Sequence, residues 1–184
     1  DGRLTNAGSL RTSGLDVNAG YIRPIAMGSI GLALSGTRLE KREIEALPDV
    51  RSYDCVETFG TTCGQPSPTW RHKLRATWYT PADIDVSLSW RYIGAVKSDR
   101  TLPQIGGSIP AVDAAIGAQN YFDLAANWRM REKVNVSLAI NNVLDRSPPI
   151  IGANYILSYS NGGTYPGLYD LLGRYISLGL RASL

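Results

Sequence analysis

The sequence predicts an all-β protein whose long antiparallel strands form part of a transmembrane β-barrel. Apolar and polar residues alternate, most clearly at 134–140 and 84–92. A period of two residues is typical of a β-strand with one apolar and one polar face. Connections between the strands alternate between short and long, and Trp and Tyr cluster near strand ends. Together these observations favour strands that lie between lipid and a water-filled lumen.

Seven segments carry the alternation. They are Ser9–Ile22, Ile25–Leu39, Thr69–Thr80, Ile84–Val96, Gln119–Met130, Val134–Val143 and Leu172–Leu184. Each is about ten or more residues long, whereas strands of soluble proteins most often have about five or six. The lengths therefore agree with strands that cross a bilayer at a tilt.

The predicted connections fall into two classes. Short turns are expected at Arg23–Pro24, Pro81–Asp83 and Arg131–Lys133, and long loops at 40–68, 97–118 and 144–171. The loops are rich in Gly, Pro, Asn and Ser. Long structureless loops count against a soluble domain, whereas short periplasmic turns and long extracellular loops are typical of outer-membrane barrels.

Aromatic residues cluster at both predicted strand ends. Trp78, Tyr79 and Trp128 lie near short turns, and Trp70, Tyr92 and Tyr121 lie near long loops. This placement predicts two aromatic belts at the headgroup levels of a bilayer. Cross-strand aromatic pairs in the core of a β-sandwich are the alternative.

Composition and charge exclude several classes of protein. The net charge is +3 and the Lys and Arg residues are scattered, so nucleic-acid binding is not expected. No stretch approaches the roughly 20 apolar residues of a membrane helix, which excludes helical spans only. We find no catalytic constellation and no phosphate-binding motif, and we predict neither an enzyme nor a cofactor.

The two cysteines, Cys55 and Cys63, are eight positions apart in a short Gly- and Thr-rich segment. A lone pair this close predicts a disulfide formed in an oxidising compartment, and two free thiols are the alternative. A zinc site is not expected because His72 is the only histidine.

Two groups of residues are candidates for functional contacts. The polar strand positions are expected to face the lumen and contact a plug or a ligand: Lys73, Arg75, Asp85, Arg91, Asp123, Asn127 and Arg129. Salt bridges between neighbouring strands are the alternative role for these residues. The last long loop offers a Tyr- and Asn-rich lip for an extracellular ligand: Asn154, Tyr155, Tyr159, Asn161, Tyr165 and Tyr169. The alternative is that these residues only order the loop.

Several motifs resemble the C-terminal end of TonB-dependent outer-membrane receptors. They are Tyr121-Phe122-Asp123-Leu124, the run from Asn141 to Pro149, the run from Gly173 to Arg181, and the cysteine segment with Pro68 to Arg75. The resemblance covers nearly the whole chain and implies about seven C-terminal strands of a 22-stranded barrel, with an N-terminal plug elsewhere in the protein.

The resemblance also implies partners and an assembly signal. The expected partners are the rest of the barrel and its plug, the TonB complex acting through the plug, outer-membrane lipids and the barrel assembly machinery. The alternate residues Ile176, Leu178, Leu180, Ala182 and Leu184 match the assembly signal, although the family usually ends in an aromatic residue. A TonB box and a plug are not recognisable in this sequence, so we expect a part of a longer receptor that cannot span a membrane alone.

The resemblance predicts active uptake of a ferric siderophore, an oligosaccharide or a similar nutrient across the outer membrane of a Gram-negative bacterium. Two alternatives remain open. One is a passive outer-membrane channel without a plug. The other is a secreted β-sandwich that binds carbohydrate, which requires the apolar rows to pack against each other.

Overall fold

The computed structural model describes residues 8–45, 51–131, 134–156 and 161–182. Eleven strands are present in these residues. They are β1 (Leu10–Ile25), β2 (Gly28–Ile44), β3 (Tyr53–Asp54), β4 (Thr58–Phe59), β5 (Trp70–Tyr79), β6 (Ile84–Ile93), β7 (Val96–Ser98), β8 (Ala115–Ile116), β9 (Gln119–Arg131), β10 (Val134–Asn141) and β11 (Tyr175–Ala182). Four short 3-10 helices lie in the loops, at Asp99–Thr101, Ala111–Asp113, Ala153–Tyr155 and Asn161–Gly163.

The seven long strands form one antiparallel sheet in the order β1-β2-β5-β6-β9-β10-β11, and the short β3 pairs with β2. The predicted all-β antiparallel fold class is therefore confirmed. The sheet is open within the described residues, since β1 and β11 are each paired on one side only. A single sheet with two free edges is what a segment of a larger barrel presents.

The register builds continuous apolar rows across the sheet. One row passes through all seven long strands: Tyr21, Leu32, Ala76, Leu88, Leu124, Ile140 and Ile176. Residues directly opposite each other in neighbouring strands share a face, so all seven side chains point the same way. Leu88 and Ile176 are 44% and 66% exposed, so nothing within the described part of this chain covers the row. The sheet therefore has an uncovered apolar face, which the sandwich alternative does not allow.

The short connections lie together at one end of the sheet. The first turn is at residues 26–27, so its prediction at Arg23–Pro24 is wrong: both residues lie in β1, opposite Ile30 and Ser29. Pro24 is tolerated because β1 is paired on one side only and the proline is next to the strand end. Gly28 follows at φ +109°, where a Cβ would clash with the Tyr79 carbonyl oxygen. The second turn occupies 80–83, and residues 132–133 at the third lie outside the described part of the chain.

The long loops at the opposite end pack against each other and supply the hydrophobic core. Its buried members include Phe59, Val96, Ile116, Ile151 and Tyr169, which come from all three loops. Strands β4, β7 and β8 form a small second sheet that joins the first two loops. The loops thus form a folded cap, which sequence patterns within each loop did not predict.

Candidate functional site

Arg91 is the centre of a charged cluster on the polar face. Its guanidinium donates to both carboxylate oxygens of Asp123 on β9, at 2.8 and 3.0 Å. It also donates to both oxygens of Asp170 in the last long loop, at 3.0 and 2.5 Å. The three side chains are between 16% and 27% exposed, so water only partly screens these contacts. Arg91 therefore joins the sheet to the last long loop.

The residues that follow β10 hold Asp123 in place. The backbone N–H of Asn142 donates to Asp123 at 2.9 Å, and Asn142 adopts φ +51°. The buried Asn142 amide also accepts from the Arg146 N–H and donates to the Arg146 carbonyl, at 2.9 and 2.8 Å. Asn is among the few residues that tolerate this left-handed conformation and bond the backbone locally. The Asn-Asn motif thus turns the chain and orients the carboxylate that Arg91 needs.

A second ion pair lies near the short-turn end of the polar face. Arg129 donates to Asp85 at 2.6 and 3.3 Å, and its Nε is 3.8 Å from Asp83. Asn127 is exposed beside this pair, opposite Asp85 in the register. Arg91 and Arg129 thus form salt bridges between strands, which was the alternative role for the polar positions. A plug or ligand contact for these two arginines stays a prediction.

Lys73 and Arg75 differ from these paired residues. Both are exposed on the polar face of β5, and Arg75 donates to the Ser89 hydroxyl at 3.2 Å. Arg71 occupies the same face two residues earlier, although sequence reasoning did not select it. In the described residues none of these three cations has a carboxylate within ion-pair distance. The alternation Arg-His-Lys-Leu-Arg was the signal that would have identified Arg71.

The predicted extracellular lip is only partly at the surface. Tyr165 and Tyr169 are 1% and 2% exposed, and the Tyr165 ring packs edge-on against Phe59 at 6.0 Å. Burial raises the pKa of the Tyr169 phenol, because the charged phenolate is disfavoured away from water. The prediction that these two side chains lie on an exposed lip is therefore wrong, because both rings are buried in the loop cap.

The remaining lip residues have different positions. Asn154 is exposed, and Tyr155 is half-buried with the Arg100 guanidinium 4.9 Å from its ring centre. Tyr159 lies outside the described residues, and the backbone of Asn161 begins a short 3-10 helix. Ligand contact by Asn154 and Tyr155 remains a prediction.

The predicted disulfide between Cys55 and Cys63 is confirmed, and both cysteines are buried. The buried carboxylate of Asp99, in the second long loop, accepts from the backbone N–H groups of Thr62 and Cys63 at 2.7 and 2.9 Å. Each charge-assisted bond of this kind is stronger than a neutral one. The disulfide segment is therefore fixed to the neighbouring loop, and sequence reasoning missed Asp99.

Aromatic side chains form a cluster on the apolar face near the long loops. His72 packs against Trp90 at 4.5 Å and stacks on Tyr92 at 5.4 Å, and Trp70 donates to the His72 Nδ1 at 2.9 Å. Tyr121, predicted for the same belt, is instead fully buried on the polar face, with the Arg91 guanidinium 4.9 Å from its ring. Tyr121 is opposite Arg91 in the register, so its side chain lies on the polar face and away from the belt.

At the short-turn end, Trp78 and Trp128 are exposed on the apolar face, and Trp78 donates to the Met27 carbonyl at 2.9 Å. Tyr79, by contrast, shares the polar face with Asp85. On β6, Trp128 is opposite Ile84 and His72 is opposite Tyr92. The two levels are therefore eight positions apart along the strand. That is about 27 Å along a strand, or about 20 Å across a bilayer at a tilt of about 40°.

The apolar row of the last strand is exposed at Ile176, Leu178, Leu180 and Ala182, and Leu184 lies outside the described residues. The role of this row as an assembly signal stays a prediction. The described helices include none that is both long and apolar enough to cross a membrane. In the same residues no group of three His, Cys, Asp or Glu side chains is arranged to hold a metal ion.

These features define the fold class: an open antiparallel sheet with one apolar and one polar face and a folded loop cap. A ferric enterobactin receptor and a siderophore receptor are among the solved structures that this chain resembles. A ferric enterobactin receptor mutant from Pseudomonas aeruginosa matches 97% of this chain at 13% identity with a TM-score of 0.62, and the chain spans 23% of that receptor. The siderophore receptor PiuA from Acinetobacter baumannii matches 89% of the chain at 14% identity with a TM-score of 0.52, and the chain spans 20% of it.

The matches confirm the fold that the resemblance implied. The matched proteins are themselves receptors. No protein-family model and no curated protein sequence matches the chain.

Proposed function

We propose that residues 1–184 form the C-terminal part of the barrel of an outer-membrane receptor that imports a nutrient by TonB-dependent active transport. The observation that carries this proposal is the two-faced sheet. One apolar row is continuous over seven strands, and Arg91 on the polar face is bonded to the loop cap. A wall between lipid and a hydrated lumen needs these two faces.

The free edges of the sheet support the proposal that further barrel strands pair with it. In lipid, each unpaired backbone N–H or C=O group costs several kcal/mol. Strands β1 and β11 have 16 and 8 residues, and each lacks a partner on one side within the described part of the chain. The partners that we propose for these edges are the remaining barrel strands, assembled by the barrel assembly machinery around an N-terminal plug.

The location and ligand follow from the same proposal. Outer-membrane lipids of a Gram-negative bacterium would contact the apolar rows, and the TonB complex would act on the plug. The matched proteins are receptors for ferric enterobactin and for a siderophore, which makes a ferric siderophore the first ligand to test.

The test uses the intact receptor that contains this segment, produced in a Gram-negative host with an epitope inserted at exposed residues 106–107. We expect the protein in the outer-membrane fraction, with a heat-dependent gel shift and an epitope accessible on intact cells. Siderophore-bound iron should enter these cells and not isogenic cells that lack TonB. Recovery as a soluble protein without detergent would contradict the barrel, and equal uptake without TonB would favour a passive channel.

A further inference from the structure

The apolar face of the β1–β2 hairpin becomes basic at its long-loop end. Leu15 and Val17 on β1 belong to the apolar part of this face, and both are exposed. Beyond Leu15 the same face carries three exposed cations, which we call the hairpin cation cluster: Arg11, Arg38 and Lys41. Arg38 is opposite Leu15 in the register, so the cluster begins where the apolar row ends.

A β-bulge decides which charges share this face. The register between β1 and β2 skips Glu40, since consecutive residues of β1 pair with Leu39 and Lys41. Without the extra residue, alternation along β2 would place Glu40 on the same face as Arg38 and Lys41 on the opposite face. The bulge instead places Lys41 one step beyond Arg38 on the apolar side, about 7 Å further along the strand.

The carboxylates nearby neutralise only part of the cluster. The Lys41 Nζ is 2.8 Å from a carboxylate oxygen of Glu43. Arg11 and Arg38 have no carboxylate within ion-pair distance in the described part of the chain. The cluster therefore offers two guanidinium groups and a partly neutralised ammonium group to an anion.

An apolar cleft lies directly beside Arg38. It has a volume of about 480 Å³ and is lined by Leu15, Val17, Arg38, Thr69 and Trp70. Part of an acyl chain can occupy this cleft and contact the Trp70 ring and the aliphatic side chains. An arginine at the edge of an apolar surface packs its methylene groups on that surface and directs its charge toward water.

The cluster lies just beyond the upper aromatic level of the sheet. His72 is opposite Gly36 on β2, and Arg38 is two residues further toward the long loops, opposite Trp70. If the apolar rows contact lipid, this position is at the headgroups of the outer leaflet. Basic residues at this level attract anionic headgroups, and a guanidinium binds phosphate oxygens through two parallel hydrogen bonds.

We infer that the hairpin cation cluster binds a phosphorylated lipid of the outer leaflet. Its phosphate oxygens bind Arg38 and Lys41, and one acyl chain lies in the cleft beside Trp70. Arg11 adds positive charge on the side of the headgroup that faces away from the membrane. This inference rests on the proposed function, because it requires that the long-loop end of the sheet lies in the outer leaflet.

The test measures lipid binding to the purified intact receptor by native mass spectrometry. The probe is lipid A, which carries two phosphate groups and several acyl chains, and the comparison is lipid A without its phosphates. The variant is Arg38→Gln with Lys41→Gln. The matched control is Arg23→Gln, which removes an exposed arginine from the same face at the short-turn end of the hairpin. A third variant, Glu43→Gln, removes the carboxylate that pairs with Lys41.

We expect the double variant to bind phosphorylated lipid A at least tenfold more weakly, since each basic residue near an anionic headgroup contributes roughly fivefold. The control should stay within twofold, and Glu43→Gln should bind about two- to fivefold more tightly because it frees Lys41. Lipid A without phosphates should bind more weakly and respond to none of the three variants. All variants are checked for the heat-dependent gel shift of the folded receptor.

Three results would overturn the inference: unchanged binding in the double variant, an equal loss in the control, or equal binding of the two lipids by the unmodified receptor. None of them affects TonB-dependent uptake, so a receptor that gives these results and still imports its nutrient leaves the proposed function standing. A receptor that does not reach the outer membrane would contradict the proposed function itself.

Discussion

The bond between Arg91 and Asp170 should control opening of the last long loop. Asp170→Asn keeps the shape of the side chain and removes its charge. It weakens two charge-assisted hydrogen bonds, at 3.0 and 2.5 Å. Each bond of this kind contributes about 1.5–3 kcal/mol. The total loss should be smaller than the sum, because Arg91 keeps Asp123 and water reaches the cluster.

We therefore expect a loss of about 2–3 kcal/mol in the free energy of loop opening. This corresponds to a roughly 30- to 150-fold rise in the opening constant. The opening constant can be measured by hydrogen exchange with mass spectrometry on the intact receptor in detergent. The reporting amides are those of Leu168 and Tyr169, which donate to the Tyr165 carbonyl at 3.0 Å each. Amides of β5 and β6 should not change.

The matched control is Asp85→Asn, which weakens a similar carboxylate–arginine pair at the opposite end of the sheet. It should leave the exchange of the Leu168 and Tyr169 amides unchanged. A double-mutant cycle with Arg91→Gln should show that the effect of Asp170→Asn largely disappears when Arg91 is absent. Unchanged exchange in Asp170→Asn, or equal acceleration by the control, would refute the role given to this bond.

Three further results are expected. Replacing Cys55 and Cys63 by Ser should destabilise the loop cap by roughly 2.5 kcal/mol, because the disulfide no longer limits the entropy of the unfolded loop. Limited proteolysis should then cut that loop while the strands stay intact. An unchanged cleavage pattern would argue against a stabilising role of the disulfide. Leu88→Arg, in the middle of the apolar row, should lower the free energy gained on folding into lipid vesicles by about 2–4 kcal/mol. Thr77→Arg on the polar face should lower it much less. Similar losses for the two variants would contradict the assignment of faces. Burial raises the pKa of Tyr169, so the neutral phenol contributes stability to the cap below about pH 10, and this contribution should be lost as pH rises further. Proteolysis of the loop should therefore begin above that pH, and Tyr169→Phe should weaken this transition without removing it, because the phenol of Tyr121 is buried as well; an unchanged pH dependence in Tyr169→Phe would contradict this role.

Local patterns were sufficient to predict the seven long strands, whereas the short strands β3, β4, β7 and β8 were not predicted. The alternation in Ile84–Ile93 and Val134–Asn141 sets both the strand conformation and the face of each side chain. Turn positions were harder, as Arg23–Pro24 shows. Proline usually ends a strand, but a strand with one free edge accepts it, and that edge is a property of the sheet.

The candidate site shows the same division. The sequence placed Lys73, Arg75 and Arg91 in one group because all three occupy polar strand positions. Only the folded chain separates them, since Asp170 is 79 positions away from Arg91 along the sequence. Tyr169 illustrates the reverse case, because a Tyr- and Gly-rich loop can be an exposed lip or a buried core.

The sequence by itself determined that the chain is a wall of long strands with one apolar and one polar face, because a period of two residues is a local property of the backbone. It also indicated the disulfide, since its cysteines are close in the chain. The tertiary structure decided which charges are paired, which tyrosines are buried and that the three loops form one cap. These depend on contacts between distant segments, and an arginine is free or neutralised according to which carboxylate the fold brings to it.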